Sequence, residues 1–245
     1  MLKAFRCDLH IHTCLSPCAE LDLYPGALVE KACEADLDVI AVCDHNASEN
    51  VPYVIKRARG TGLTVLPGME VTSREEVHVL ALFDTLTPLV QFQADVYAHL
   101  SGSNREEVFG CQAIVNEQDE VEGFNDRLLI GATEIPLEGL IDLIHDRQGL
   151  AVASHIDREA FSVLGQLGFI DPSLAFDALE VTSRLGIRQA RRQYPELAAY
   201  AFVTSSDAHF VRDIGRGVTR IRMAAPTTTE LRLAFQHRDG REILE

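Results

Sequence analysis

Phe5-Arg6-Cys7-Asp8-Leu9-His10-Ile11-His12 reads as a strand. Side chains at i and i+2 of an extended segment point to one face, which puts Asp8, His10 and His12 on the same side. Three polar groups able to bind metal, set in an otherwise apolar strand, are costly to bury without a partner. A metal ion is the usual partner. The run therefore predicts a buried strand with chemistry at its end.

Working outward, short apolar runs alternate with amphipathic stretches. Pro25 to Ala35 reads as a helix, with proline near its first turn and Leu28, Val29 and Ala32 on one face. Asp38 to Cys43 is a buried strand ending in Asp44-His45, and Val51 to Arg59 a second helix. Leu63 to Val71 and Val77 to Phe83 are strands. Pro88 to Leu100 is helical, and Glu106 to Arg127 reads as a helix running into an extended piece around Ala113-Ile114-Val115. The stretch 84–134 is thus expected to be a small insertion on the core. The alternation then resumes with helices at Pro136–Asp146, Arg158–Leu167 and Ile187–Arg192. Strands are expected at Leu150–Ser154, Ala178–Val181, Ala201–Ser206 and Gly217–Met223, and a Thr-capped helix at Thr228–His237. This rhythm implies an α/β fold with a mainly parallel sheet and helices outside. Seven or more strands suit a closed or nearly closed barrel, and 1–245 reads as a single domain.

The chain has 245 residues, 47% of them hydrophobic, and a net charge of -15. The size allows a substantial core, and the charge argues against broad binding to duplex nucleic acid or an anionic membrane. No run of 18 or more apolar residues predicts a membrane span, and Arg6 and Asp8 interrupt any signal-like segment. Cys7, Cys14, Cys18, Cys33, Cys43 and Cys111 lack zinc-ribbon spacing and read as free thiols of a cytoplasmic protein.

The residues able to bind metal share one place in the rhythm. His10 and His12 end the first strand, Asp44 and His45 the second, and Glu70 the third. His78 begins or lies within the next strand. His155 follows Ala151-Val152-Ala153-Ser154, and Asp207 and His209 follow Val203-Thr204-Ser205-Ser206. Strand C-terminal ends of parallel α/β folds gather where sites are built. Taken singly, an Asp after a strand also caps helices, and a lone buried His is more often a core residue. Together they predict a metal site. His99, His145 and His237 lie in predicted helices among charges and read as solvated surface. Mixed His and carboxylate donors suit Mn²⁺, Fe²⁺ or Zn²⁺. Their number exceeds one ion's needs, so two or three divalent ions are expected, with hydrolysis of a phosphate ester as the natural chemistry.

Asp8-Leu9-His10-Ile11-His12-Thr13 with Ser16, Cys43-Asp44-His45-Asn46, Gly68-Met69-Glu70-Val71, His78, Ser154-His155 and Ser206-Asp207-Ala208-His209 resemble, in order, the motifs of the PHP (polymerase and histidinol phosphatase) superfamily. The resemblance implies a distorted (β/α)7 barrel with a trinuclear site at the strand ends. It assigns His10, His12, Glu70 and Asp207 to a first ion, Glu70, His78 and His155 to a second, and His45 and His209 to a third. It makes Asp8 and Asp44 orienters of the histidines. Many members carry an Asp or His where this chain has Cys18. Cys18 is therefore a candidate ligand, with Glu20 and Asp22 as alternatives. The implied mechanism is attack of metal-bound hydroxide on phosphorus, with the general acid unassigned. Arg158 and Arg184 are candidates to grip the phosphate, each also readable as a surface residue.

These readings predict a cytoplasmic metal-dependent phosphoesterase, a phosphatase or phosphodiesterase. Its expected partner is a small phosphorylated metabolite or nucleotide, with no membrane and no extended duplex nucleic acid. The alternatives are an exonuclease-like nucleic-acid processing accessory and a regulatory module with a vestigial metal site.

Overall fold

The computed structural model describes residues 1–244. The chain runs β1 (Lys3–Ile11), α1 (Pro25–Glu34), β2 (Val39–Val42), α2 (Val51–Arg57), β3 (Thr64–Thr72), β4 (His78–Leu82), α3 (Leu86–Ala98), α4 (Glu106–Phe109), β5 (Ala113–Val115) and β6 (Val121–Phe124). It continues with α5 (Leu137–Asp146), β7 (Leu150–Ala153), α6 (Val163–Leu167), β8 (Ala178–Thr182), α7 (Ile187–Gln193), β9 (Phe202–Ser205), β10 (Thr219–Met223), α8 (Thr228–Phe235) and β11 (Glu242–Leu244). Among the described residues, nine strands form one sheet in the order β11-β10-β1-β2-β3-β4-β7-β8-β9. The hairpin β5–β6 stands apart from it.

β1, β2 and β3 run parallel, as do β7, β8 and β9. The expected parallel sheet is interrupted by β4, which is antiparallel to both β3 and β7. The link from Thr72 to His78 is too short for a crossover, so the chain can only turn back on itself. β10 is antiparallel to the first half of β1, from Lys3 to Cys7, and β11, not anticipated, extends that edge. Beyond Cys7, β1 parts from β10, and Ile11 bridges Ala208 just past the end of β9, with His12 N donating to Ala208 O at 3.1 Å. The sheet is thereby nearly closed, and it closes at the end where the strands deliver their polar residues.

Asp8 sits at this seam. Its carboxylate accepts from Ser206 N and Gly215 N, both at 2.9 Å. Its role is to satisfy backbone donors where the two edges part, and no hydrogen bond links it to a histidine ring among the described residues.

The strands bury runs such as Val39-Ile40-Ala41-Val42 completely, and α5 lays Leu137, Leu140, Ile141 and Ile144 on the sheet. Phe83, Phe92 and Phe202 are among the largest fully buried side chains. Each such side chain contributes about 1.5–3 kcal/mol of burial free energy.

Two helices are shorter than the sequence suggests. The stretch from Arg158 does not turn helical until Val163, because Phe161 adopts φ 58°. Ser162 then caps the helix, its Oγ accepting from Gly165 N at 2.9 Å. After Glu106 only four residues are helical, and the rest of that stretch is loop and hairpin. His145 is half-buried and paired with Asp177 at 2.9 Å, so it is not a solvated residue as expected. His99 and His237 are exposed.

The segment 84–134 is pinned to the loop after β2 by two buried asparagines. Asn46 Nδ2 donates to Leu129 O and Gly131 O, both at 2.8 Å. Asn50 Nδ2 donates to Thr13 Oγ1 at 2.9 Å and Ala113 O at 3.1 Å, while its Oδ1 accepts from Val115 N at 2.9 Å. Asn50→Ala leaves those buried groups unpaired. It should cost roughly 2 kcal/mol and lower the thermal midpoint by about 4–8 °C, measured by calorimetry.

Candidate metal centre

Parallel pairing continues past β2 as a bridge between His45 and Glu70, with Asn46 N donating to Glu70 O at 2.8 Å. This places the Glu70 side chain at the middle of the gathered strand ends. Glu70 is 1% exposed. Its Oε1 lies 3.1 Å from His78 Nδ1 and 3.4 Å from both His10 Nε2 and His155 Nε2. Its Oε2 lies 3.1 Å from His45 Nδ1 and 3.6 Å from His12 Nε2. Asp207 Oδ1 closes the other side, 3.4 Å from His10 Nε2, 3.2 Å from His12 Nε2 and 3.5 Å from His209 Nδ1.

The outer nitrogens of three rings are already held. His10 Nδ1 meets Glu180 Oε2 at 3.0 Å, His12 Nδ1 meets Ser16 Oγ at 2.9 Å, and His209 Nδ1 meets the Asp207 carbonyl at 2.9 Å. Holding Nδ1 in this way leaves Nε2 with the free lone pair that a metal ligand needs. Asp44 acts one step back. It accepts from Thr13 N, Thr13 Oγ1 and Ser16 Oγ, each at 2.7 Å, so Ser16 must receive rather than give the proton shared with His12.

His45 Nδ1, His78 Nδ1 and Glu70 Oε1 are buried without a hydrogen-bond partner, although carboxylate and imidazole atoms stand only 3.1 Å apart. Orphaned buried donors and acceptors at that separation fit a shared cation between them better than a contact with each other. His10, His12 and Glu70 form one group able to hold an ion, His45, Glu70 and His78 a second, and His12, His45 and His209 a third. His155 joins through its 3.4 Å approach to Glu70. Backbone strain collects here too. Asn46, His155 and Asp207 have φ of 50°, 28° and 49°, a left-handed region that costs a non-glycine residue about 1–3 kcal/mol.

The electrostatics follow from this packing. Burial acts to raise the Glu70 carboxyl, and His78, His10 and His45 overcome it and hold it well below the ordinary carboxylate range. Burial likewise opposes Asp207, which His10 and His12 hold low. Burial, then the nearby His209, pushes His12 down to about 3, and burial holds His45 well below its usual value. His10 goes the other way: burial lowers it, but Glu180, Asp207 and Glu70 together raise it well above 6.5. Burial raises Asp8 and Asp44 to about 6 against their backbone and hydroxyl donors.

Cys18 is in none of the three groups, nor are Glu20 and Asp22. Cys18 is exposed at its surface, yet desolvation around its thiol, then Glu70 and Asp207, push it up to about 12. Arg158 Nη2 pairs with Asp207 Oδ2 at 2.5 Å, and Arg184 is exposed. Both line a cavity of about 430 Å³ that His155, Glu180 and Asp207 also face. Sequence reasoning missed Glu180 and Phe161. Glu180 is 2% exposed, and its signal was a charge in the middle of the apolar strand Ala178-Leu179-Glu180-Val181. Phe161 stacks on His78 with ring centroids 4.7 Å apart and planes at 19°, and nothing in its local sequence marks it.

Residues 8–169 match the model of the PHP domain, and residues 188–240 that of the PHP-associated segment. The chain belongs to the PHP domain family. This PHP-domain chain is 23% identical over 275 residues to the protein YqxK of Bacillus subtilis (strain 168), across 99% of this chain and 65% of YqxK. Its fold is similar to the lesion-specific endonuclease Q of Pyrococcus furiosus, with TM-score 0.78 and 17% identity over 98% of this chain and 58% of that one. It is equally similar to endonuclease Q in complex with a 27-mer duplex bearing an abasic lesion at the active site, with TM-score 0.76, 18% identity and the same coverage. The chain thus spans less than two-thirds of the length of these relatives.

The duplex complex corrects the expected partners. A small phosphorylated substrate, with extended duplex nucleic acid excluded, does not stand against a PHP fold seen on a 27-mer duplex. Net charge averages the whole surface, whereas a polyanion meets only the local face it touches. Among the described residues, no helix is long and apolar enough to cross a membrane.

Glu180→Gln weakens the hold on His10 Nδ1. Mn²⁺ affinity measured by equilibrium dialysis should fall roughly 10- to 100-fold. In the metal-free chain, the contribution of His10 to stability is present below 6.5 and is lost as pH rises through its raised folded value. An ion must displace the His10 proton, so calorimetric titration with Mn²⁺ should show proton release and tighter binding as pH rises.

Proposed function

We propose that this chain is a metal-dependent phosphodiesterase of the PHP family that hydrolyses a backbone phosphate in nucleic acid. The observation that carries this reading is the Glu70-centred cluster, which opens onto a cavity edged by two guanidinium groups. The resemblance of the fold to endonuclease Q over 98% of the chain supports the choice of substrate.

In this reading His10, His12, Glu70 and Asp207 hold one divalent ion, and Glu70, His78 and His155 hold another. His45 and His209 serve a third, with His45 also near enough to Glu70 and His78 to be shared. Mn²⁺, Fe²⁺ or Zn²⁺ suits such a donor set, and when bound these ions supply Lewis-acid polarisation of the phosphoryl group and a nucleophile at neutral pH. The chain's own residues do the rest. Glu180, Ser16 and the Asp207 carbonyl fix three imidazoles, so the nitrogens facing the cavity need no reorganisation. Arg184, with no protein partner among the described residues, is placed to bind a non-bridging phosphate oxygen. Arg158, held on Asp207, is positioned to do the same from the other wall. Residues 1–245 act as one catalytic unit in this reading, with 84–134 as its clamped insertion.

The test is incubation of a 27-mer duplex carrying one abasic site, and of its undamaged counterpart, with Mn²⁺-loaded protein. Strand cleavage should appear on gels, vanish with EDTA, and fall on the order of 100-fold or more in His78→Ala. Absence of cleavage on either duplex, or cleavage indifferent to EDTA, would overturn the reading.

A further inference from the structure

The cavity beside the metal centre does not stop at Arg184. Asp157, Thr182 and Arg184 line it and also an adjoining cleft, and Leu185 and Gln189 continue that cleft into a third, of about 540 Å³. Arg188, Arg192 and Arg220 wall this outer part. A continuous groove therefore runs from His155 and Asp207 outward to β10.

The sequence builds the groove from two elements. α7 reads Ile187-Arg188-Gln189-Ala190-Arg191-Arg192-Gln193, buries Ile187 and Ala190, and carries three arginines with no acid. Arg188 and Arg192, four residues apart, share a face and are separated by about 6 Å along the axis. Arg220 comes from β10, where it alternates with the buried Thr219 and Ile221. Arg184, Arg192 and Arg220 have no ion-pair partner among the described residues.

Among the described residues, the outer cleft has no acidic residue in its lining, on a chain of net charge -15. Where acids outnumber bases so heavily, arginines gathered along one cleft make a local positive field that draws an anion. Its length sets the kind of anion. The outermost arginines lie two clefts beyond the metal centre, out of reach of a single phosphorylated molecule bound there. Phosphates of one strand recur about every 3.4 Å of helix axis, so the face of α7 spans successive phosphates.

We propose that the groove from Arg184 along the Arg188 and Arg192 face of α7 to Arg220 is the track for the sugar-phosphate backbone of a nucleic-acid strand whose scissile phosphate lies at the metal centre. This rests on the reading of the chain as a nucleic-acid phosphodiesterase. The apolar floor, from Leu185, Val218 and Leu244, lies against the sugars, and the guanidinium groups meet the phosphates.

The experiment is fluorescence anisotropy of a labelled 27-mer duplex in EDTA, so that binding is read without cleavage, over a series of KCl concentrations. Each phosphate contact contributes about 0.9 to the slope of log K against log salt. R192Q/R220Q should flatten the wild-type slope by about 1.8, R192K/R220K should restore it, and R59Q, at an exposed arginine elsewhere, should leave it unchanged. Far-UV circular dichroism checks that the exposed substitutions leave the fold intact. An unchanged slope in R192Q/R220Q overturns the track, as does an equal loss in R59Q or wild-type protein that does not bind the duplex. If wild-type protein cleaves the duplex while the slope is unchanged, the track falls and the phosphodiesterase reading stands. If the slope flattens but metal-loaded protein does not cleave, that reading falls and the track stands.

Discussion

One buried carboxylate sets the terms for the rest of this molecule. Glu70 is 1% exposed, with nitrogens of five imidazoles within 3.6 Å of its two oxygens. A carboxylate so placed is destabilising unless it is paired. The imidazole of His12 is pushed down to about 3, chiefly by its own burial, and offers it little charge. Donors gathered in this way suit a bound divalent cation. Two of the rings, His10 and His12, are held from behind by Glu180 and Ser16 through nitrogens that face away from the centre.

The sheet explains how such a cluster assembles. Parallel neighbours put the ends of β1, β2 and β3 side by side, and the antiparallel β4 returns His78 to the same level by beginning where β3 ends. The barrel shuts at that level through Ile11 and Ala208, with Asp8 satisfying the donors left open at the seam. The same closure brings Asp207 against His10 and His12. Fold and site are one construction, and strained backbone at His155 and Asp207 marks where the construction is tightest.

Much of this was legible because strand ends recur. His10, His12, His45, Glu70, His78, His155, Asp207 and His209 each stand beside an apolar run, and periodicity locates such runs well. Other features depend on contacts between distant segments, which periodicity does not carry. Asp8 looks like a partner of His10 in an i, i+2 pattern, but its actual partners are Ser206 and Gly215. Glu180 looks like one charge in a strand, and only the approach of β8 to His10 reveals its part. The late start of α6 depends on Phe161 taking a left-handed φ, which no propensity of Phe suggests. The overall charge of -15 argued against a duplex partner, but net charge averages the whole surface and does not describe a local face.

What decides the chemistry is whether Glu70 and its ring of histidines hold divalent ions. Anomalous diffraction from crystals soaked in Mn²⁺ tests it most directly. Two or three peaks are expected within coordinating distance of Glu70, His10, His12, His45, His78, His155, Asp207 and His209. Peaks confined to sites away from Glu70, or none at all with the histidines bonded to one another, would contradict it.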